Sequence, residues 1–142
     1  MKVLDQLSGP WTGFSIQDGV RIMERLHLRI GNGMFRGYGH DMDGDFVVDG
    51  GYEGNVIHTV RRYTQVKDRA TGAYRFDPEA VRSLYDYVGT WDGSLIGGSW
   101  CSQTYPMEMN GPFEWWPDSE EDRKELQIEI AELTLALPER TR

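Results

Sequence analysis

Glu24 is the ionisable residue whose position says most. Between Val20 and Ile30 apolar side chains fall at Val20, Ile22, Leu26, Leu28 and Ile30, with Arg21, Arg25, His27 and Arg29 between them. A period of two marks a strand buried on one side, and Glu24 has the parity of the apolar set. A carboxylate on an inward face needs a partner, or desolvation raises its pKa. Arg61 and Arg62 are the candidate partners, and Arg62 is taken with Glu24 as the pair that orients the polar groups of a ligand. A structural ion pair, a ligand-orienting carboxylate and a general acid/base are the three chemistries open to Glu24. The last makes it the catalytic candidate if the chain is an enzyme.

Aromatic residues are the second signal. Trp11, Tyr63, Tyr85, Tyr87, Trp91, Trp100, Phe113, Trp115 and Trp116 come from several extended stretches, and Tyr85, Tyr87 and Trp91 share one parity. Such rings either fill an interior or wall a cavity that a few polar groups equip for binding. The candidate ligand contacts are therefore Trp11, Glu24, Arg62, Tyr63, Tyr87, Trp91 and Trp100.

Other chemistries find less support. The turn Asp41-Met42-Asp43-Gly44-Asp45 alternates carboxylates as a calcium loop does, yet Phe46 and Tyr52 stand where an EF-hand needs its Gly and its bidentate Glu, so a polar turn is expected. His27, His40 and His58 are dispersed without ligand spacing, although cross-strand pairing of His27 with His58 stays open. Gly37-Tyr38-Gly39 lacks the third Gly of a phosphate loop, and no Gly-x-Ser-x-Gly elbow is present. Cys101 has no base nearby in sequence and reads as a small buried hydrophobe. No metal and no cofactor are expected.

Composition bounds the setting. The 142 residues suit a single domain with one core, 1–142, and 17 Gly with 12% aromatics indicate a folded, turn-rich, β-dominated chain. A formal charge of −8 argues against nucleic acid or an anionic membrane as partner. No apolar run has the length of a membrane span, the opening MKVLDQLSGPW lacks a signal-peptide core, and one Cys cannot form an internal disulfide. The cytoplasm is the expected compartment.

The elements that must position these residues follow from turn signals. Strands are expected near Trp11–Gln17, Val20–Ile30, Met34–Tyr38, Phe46–Tyr52, Val56–Val66, Ser83–Trp91, Ser94–Trp100 and Met107–Trp116, the last interrupted by Asn110-Gly111-Pro112. Gly31-Asn32-Gly33 and the two-residue turn Asp92-Gly93 mark hairpins. Between Val56 and Val66 neither parity is purely apolar, so the inward side is undecided. Asp77-Pro78-Glu79 predicts a short helical turn, within a loop from Asp68 to Val81 long enough to cover a barrel mouth. About eight strands joined by short turns predict an all-β fold, an antiparallel up-and-down barrel over 8–117, because closure removes exposed edges. A C-terminal amphipathic α-helix is expected over 118–137, with Leu126, Ile130, Leu133 and Leu137 on one stripe and Pro138 as its stop. From Pro117 onward eight acids face four bases, a net of −4. The stripe packs on the barrel or joins two copies into a homodimer.

The spacing of Gly9-x-Trp11-x-Gly13, Gly37-x-Gly39-x-Asp41-x-x-Gly44-x-Phe46, Gly50, Arg62-Tyr63, Tyr87-x-Gly89, Gly97-x-x-Trp100 and Gly111-x-Phe113 resembles a lipocalin-like, calycin-type family. That family includes the cyclin D-binding barrel of a eukaryotic F-box adaptor and many bacterial proteins of unassigned role. The resemblance spans about Gly9 to Pro117 and implies a meandering barrel that binds something, a peptide end among the options. No F-box sequence is present, so a ubiquitin-ligase role is not implied. A more distant likeness to avidin rests on Gly-x-Trp, Tyr87-Val88-Gly89 and Ile96 to Trp100, but Thr12-Gly13-Phe14 does not match the polar residues that clasp biotin. The leading expectation is a ligand-binding barrel for a small molecule or a short peptide terminus. A cofactor-independent cyclase or isomerase and a structural, oligomerising protein are the alternatives.

Overall fold

Turn chemistry sets the hairpins. Asp18-Gly19 (φ 50° and 77°) and Asn32-Gly33 (φ 54° and 74°) hold positive φ at both central positions, the two-residue geometry whose twist matches that of paired strands. They join β1 (Gly9–Gln17) to β2 (Val20–Gly31) and β2 to β3 (Met34–Asp41). A computed structural model describes residues 3–103 and 109–119. The meander continues through β4 (Gly44–Glu53), β5 (Val56–Lys67), a two-residue β6 (Tyr74–Arg75), the helical turn α1 (Pro78–Arg82), β7 (Leu84–Trp91), β8 (Ile96–Ser102) and β9 (Asn110–Pro117). Every pairing is antiparallel. β9 returns to β1 and β4 pairs with β5, so eight strands close into a barrel and β6 lies outside it, against the end of β5.

Strict alternation in β2 buries Ile22, Glu24, Leu26, Leu28 and Ile30 while their neighbours face solvent. In β5 the inward set is Ile57, Thr59 and Arg61, after which a bulge opposite Asp45/Phe46 leaves Thr64 unpaired and turns Val66 inward. One end of the barrel is closed by the 3-10 turn Leu4–Gln6. Leu4 and Leu7 are buried, the Trp11 indole donates to the Leu7 carbonyl at 2.8 Å, Ser8 pairs with Ile30, and the Tyr52 hydroxyl donates to Asp5. Behind that plug Trp11, Phe35, Trp91, Phe113 and Trp115 fill the interior with ring centroids 4.7–6.3 Å apart.

Three local expectations are corrected. Asp92-Gly93 is not a two-residue turn: Trp91 pairs with Ile96, because the Asp92 carboxylate captures the amides of Ser94 and Leu95 and draws both into the loop. Cys101 is exposed, on the outer parity of β8 opposite Asp86. Asp118 and Ser119 continue from β9 without regular structure, and the rest of the expected 118–137 helix, like the start of the expected Met107 strand, lies outside the described residues. Among the described residues no helix is long and apolar enough to cross a membrane.

Candidate functional site

The aromatic filling stops half-way along the barrel. Towards the other end lies an open cavity of about 480 Å³, lined by residues of β1, β2, β3, β5, β7 and β8 and by the excursion between β5 and β7. Its walls are Tyr63, Tyr85, Tyr87 and Trp100: Tyr63 meets Tyr85 edge-to-face at 6.0 Å, Tyr85 meets Trp100 edge-to-face at 6.2 Å, and Tyr87 stacks on Trp100 at 6.5 Å. Ile22, Val66 and Met109 add apolar surface, and Lys67, Asp68, Arg69 and Arg75 stand at the mouth. The Asp77 side chain accepts the amides of Glu79 and Ala80, with Pro78 at the first helical position, which fixes α1 beside β5 and Ala80 against the cavity. The long loop thus contributes to the mouth.

A buried charged cluster forms the floor. The Arg61 side chain is 1% exposed, with its guanidinium carbon 3.7 Å from the Phe46 ring centroid and 4.3 Å from that of Tyr87. Its Nη2 is 2.5 Å from Glu24 Oε2, and its Nη1 is 3.7 Å from Asp41 Oδ2. Glu24 Oε1 accepts from the Trp115 indole at 3.0 Å and from Ser15 at 3.1 Å. Asp41 accepts the amides of Asp43 and Gly44 through Oδ1 and the Tyr63 hydroxyl at 2.5 Å through Oδ2. A buried ion pair survives only with such extra hydrogen bonds, since desolvation otherwise exceeds the Coulombic gain. Arg61 Nε has no acceptor among the described residues.

Glycine makes room for this floor. A Cβ on Gly13 would sit 2.4 Å from both the Glu114 carbonyl oxygen and Trp115 Cδ1, so the absent side chain lets the β9 backbone come this close to β1 and leaves room for the Trp115 indole above Glu24.

Burial sets the ionisation of the cluster. Desolvation pushes the Asp41 carboxyl above the ordinary range, although Arg61 and the Tyr63 hydrogen bond pull the other way. Desolvation would lower Arg61, but Glu24 foremost, with the neighbouring phenols and Asp41, holds the guanidinium more firmly protonated than usual. Tyr63, Tyr85 and Tyr87 are all raised, chiefly by burial, so the walls present neutral phenols.

The seven candidate contacts divide. Tyr63, Tyr87 and Trp100 line the cavity. Glu24 is inward but lies beneath the lining, engaged with Arg61, Trp115 and Ser15. Trp11 and Trp91 are buried in the filled half instead. Arg62 is exposed on the outer wall; the partner of Glu24 is Arg61, because the parity of β5 that carries Ile57 and Thr59 is the inward one. Arg61, Asp41, Ser15 and Tyr85 were missed as lining residues. Asp41 had a legible signal, since it shares parity with the buried Phe35 and Gly39. His27 and His58 do not pair: His27 stacks on Tyr38 and His58 bonds Asp86.

Comparison with family models, with curated proteins and with solved structures found no match. Function is therefore argued from the site itself. With a donor-rich guanidinium on its floor, neutral phenols and an indole as walls, and both buried carboxylates already hydrogen-bonded, the cavity is equipped to hold a ring-sized molecule by its acceptor atom.

Proposed function

We propose that this chain is a cytoplasmic binding module of the calycin type, whose half-open barrel takes up one small organic molecule. The observation that carries the reading is the fully buried Arg61 in the lining of a cavity of about 480 Å³, a volume within the usual range of small-molecule sites. An acceptor of the ligand meets Arg61 while its flat body packs between Tyr63, Tyr85 and Trp100. Glu24 and Asp41 already place two carboxylates beside one guanidinium, so a third buried negative charge would be costly. The ligand class is therefore uncharged, with a carbonyl or hydroxyl acceptor.

Native and denaturing mass measurements on the purified full chain test this, combined with Trp emission and a thermal-shift screen of uncharged aromatic carbonyl compounds. Expected are a mass excess released on denaturation, or a raised melting temperature with one compound class. A bare native mass with no response across the screen would overturn the reading. The native mass also tells monomer from homodimer.

A second reading, a short peptide terminus as ligand, is favoured by exposed apolar residues in the segments around the mouth: Val20 after the β1–β2 turn, Met42 in the β3–β4 turn, and Phe76, 88% exposed, in the excursion. A ligand extending out of the cavity would cover them; a free small molecule would not. Phe76→Ser weakens binding under this reading and leaves it unchanged under the first. Catalysis through Glu24 has less support, because its carboxylate lies beneath the lining rather than in it.

A further inference from the structure

The mouth of the cavity is rich in charged groups, and nearly all of them are engaged with one another or with the chain. The Asp43 carboxylate takes Nε and Nη2 of Arg69, at 2.5 and 2.8 Å, and Arg69 reaches on to Gln17 at 3.2 Å. Arg75 is paired with Asp77 at 3.0 Å, while the other oxygen of Asp77 caps α1. Asp68 Oδ1 accepts the amides of Ala70 and Thr71, which closes the turn after β5. Asp45 takes the Tyr74 hydroxyl at 3.0 Å.

Lys67 is different. It lines the cavity at the end of β5, half-buried, and among the described residues no carboxylate is in ion-pair contact with its ammonium. Its Nζ lies 5.0 Å from the ring centroid of Tyr74, the residue opposite it in the β5–β6 pair. An aromatic face holds a cation in place without neutralising it. Of the cations in the lining, Arg61 has Glu24, Arg69 has Asp43 and Arg75 has Asp77; Lys67 is left for a ligand.

The two ends of the cavity therefore call for different groups. On the floor Glu24 and Asp41 flank Arg61, and a further buried negative charge is costly there. At the mouth an anion keeps part of its hydration and meets a compact ammonium that accepts it from several directions. One free ammonium matches one negative charge, a single carboxylate. Lys67 stands six residues beyond Arg61 in sequence, roughly 20 Å at strand spacing. That interval exceeds one ring, so a molecule seated on Arg61 reaches Lys67 only through an arm.

We propose that Lys67 is a specificity-determining residue of the cavity, and that its ligand is amphiphilic: an uncharged ring on the Arg61 floor and a flexible arm ending in one carboxylate at the Lys67 ammonium. The inference rests on the cavity reading above and narrows it, since the uncharged class named there becomes the buried body of the ligand.

Titration calorimetry on the full chain tests it, with 4-acetylphenyl alkanoic acids of one to six methylenes as probes, each compared with its methyl ester at low ionic strength. At the best arm length the acid is expected to bind about two- to fivefold tighter than its ester, the worth of one partly exposed ion pair, and added salt should narrow the gap. Lys67→Met should abolish the preference and leave ester binding unchanged. Arg29→Met, which removes the same charge from the exposed outer face of β2, should keep it. If Lys67→Met lowers the thermal midpoint, Lys67→Gln serves instead. Esters that bind as well as the acids at every arm length, or a preference that survives the loss of Lys67, would overturn the proposal and leave the cavity reading in place. Binding of neither acids nor esters would count against the cavity reading itself, and the proposal would fall with it.

Discussion

Glu24 and Arg61, from β2 and β5, meet inside the barrel at 2.5 Å with both side chains 1% exposed. Each charge is tolerable only because of the other. Arg61→Met strands the Glu24 carboxylate and should cost about 3–5 kcal/mol of stability, whereas Glu24→Gln/Arg61→Met together should cost much less than the sum of the two single changes. Denaturant unfolding of the three variants at neutral pH measures this; additive losses would mean that the pair is not coupled.

Asp41 gives a pH signature. Its folded pKa lies above the ordinary value of 3.8, so between that value and its folded pKa the folded state holds a proton that the unfolded state has released. Stability contributed at this site is highest below pH 3.8 and falls as pH rises through the folded pKa. Asp41→Asn removes the titration. The stability of wild type minus that of the variant should decline from about pH 4 upward; a difference that rises with pH would contradict the burial of Asp41.

Gly13→Ala places a methyl 2.4 Å from the Glu114 carbonyl oxygen of β9 and from Trp115 Cδ1. Overpacking of this kind costs about 1–3 kcal/mol, and moving the indole breaks its hydrogen bond to Glu24. Near-ultraviolet circular dichroism and the thermal midpoint should both change. A wild-type spectrum with an unchanged midpoint would show that the Trp115–Glu24 contact does not depend on the missing side chain.

Tyr85 lines the cavity but is only partly buried. Tyr85→Ala should leave the barrel folded and weaken ligand binding about three- to tenfold, the worth of one aromatic stack. Titration of the released ligand, or of the best compound of the thermal screen, into wild type and variant reads the ratio. Equal affinities would remove Tyr85 from the site.

Much of the architecture is legible in residue order. The alternation around Glu24 gives the inward face of β2, and Asn32-Gly33 carries the φ that a short hairpin needs. Eight strands, each antiparallel to its neighbours and interrupted only by the excursion between β5 and β7, then lead to a closed meander, since parity and turn type are local properties of the chain. Tertiary structure decided the rest. The inward parity of β5, and with it Arg61 over Arg62, depended on which face met Glu24 across the interior, and the bulge at Thr64 hides the answer from any fixed period. Trp11 and Trp100 are both inward in a Gly- and Trp-rich context, yet one fills the plugged half and the other walls the cavity. Depth along a barrel axis is set by strand tilt and stagger around the closed sheet, quantities that belong to all eight strands at once and to no single stretch of sequence.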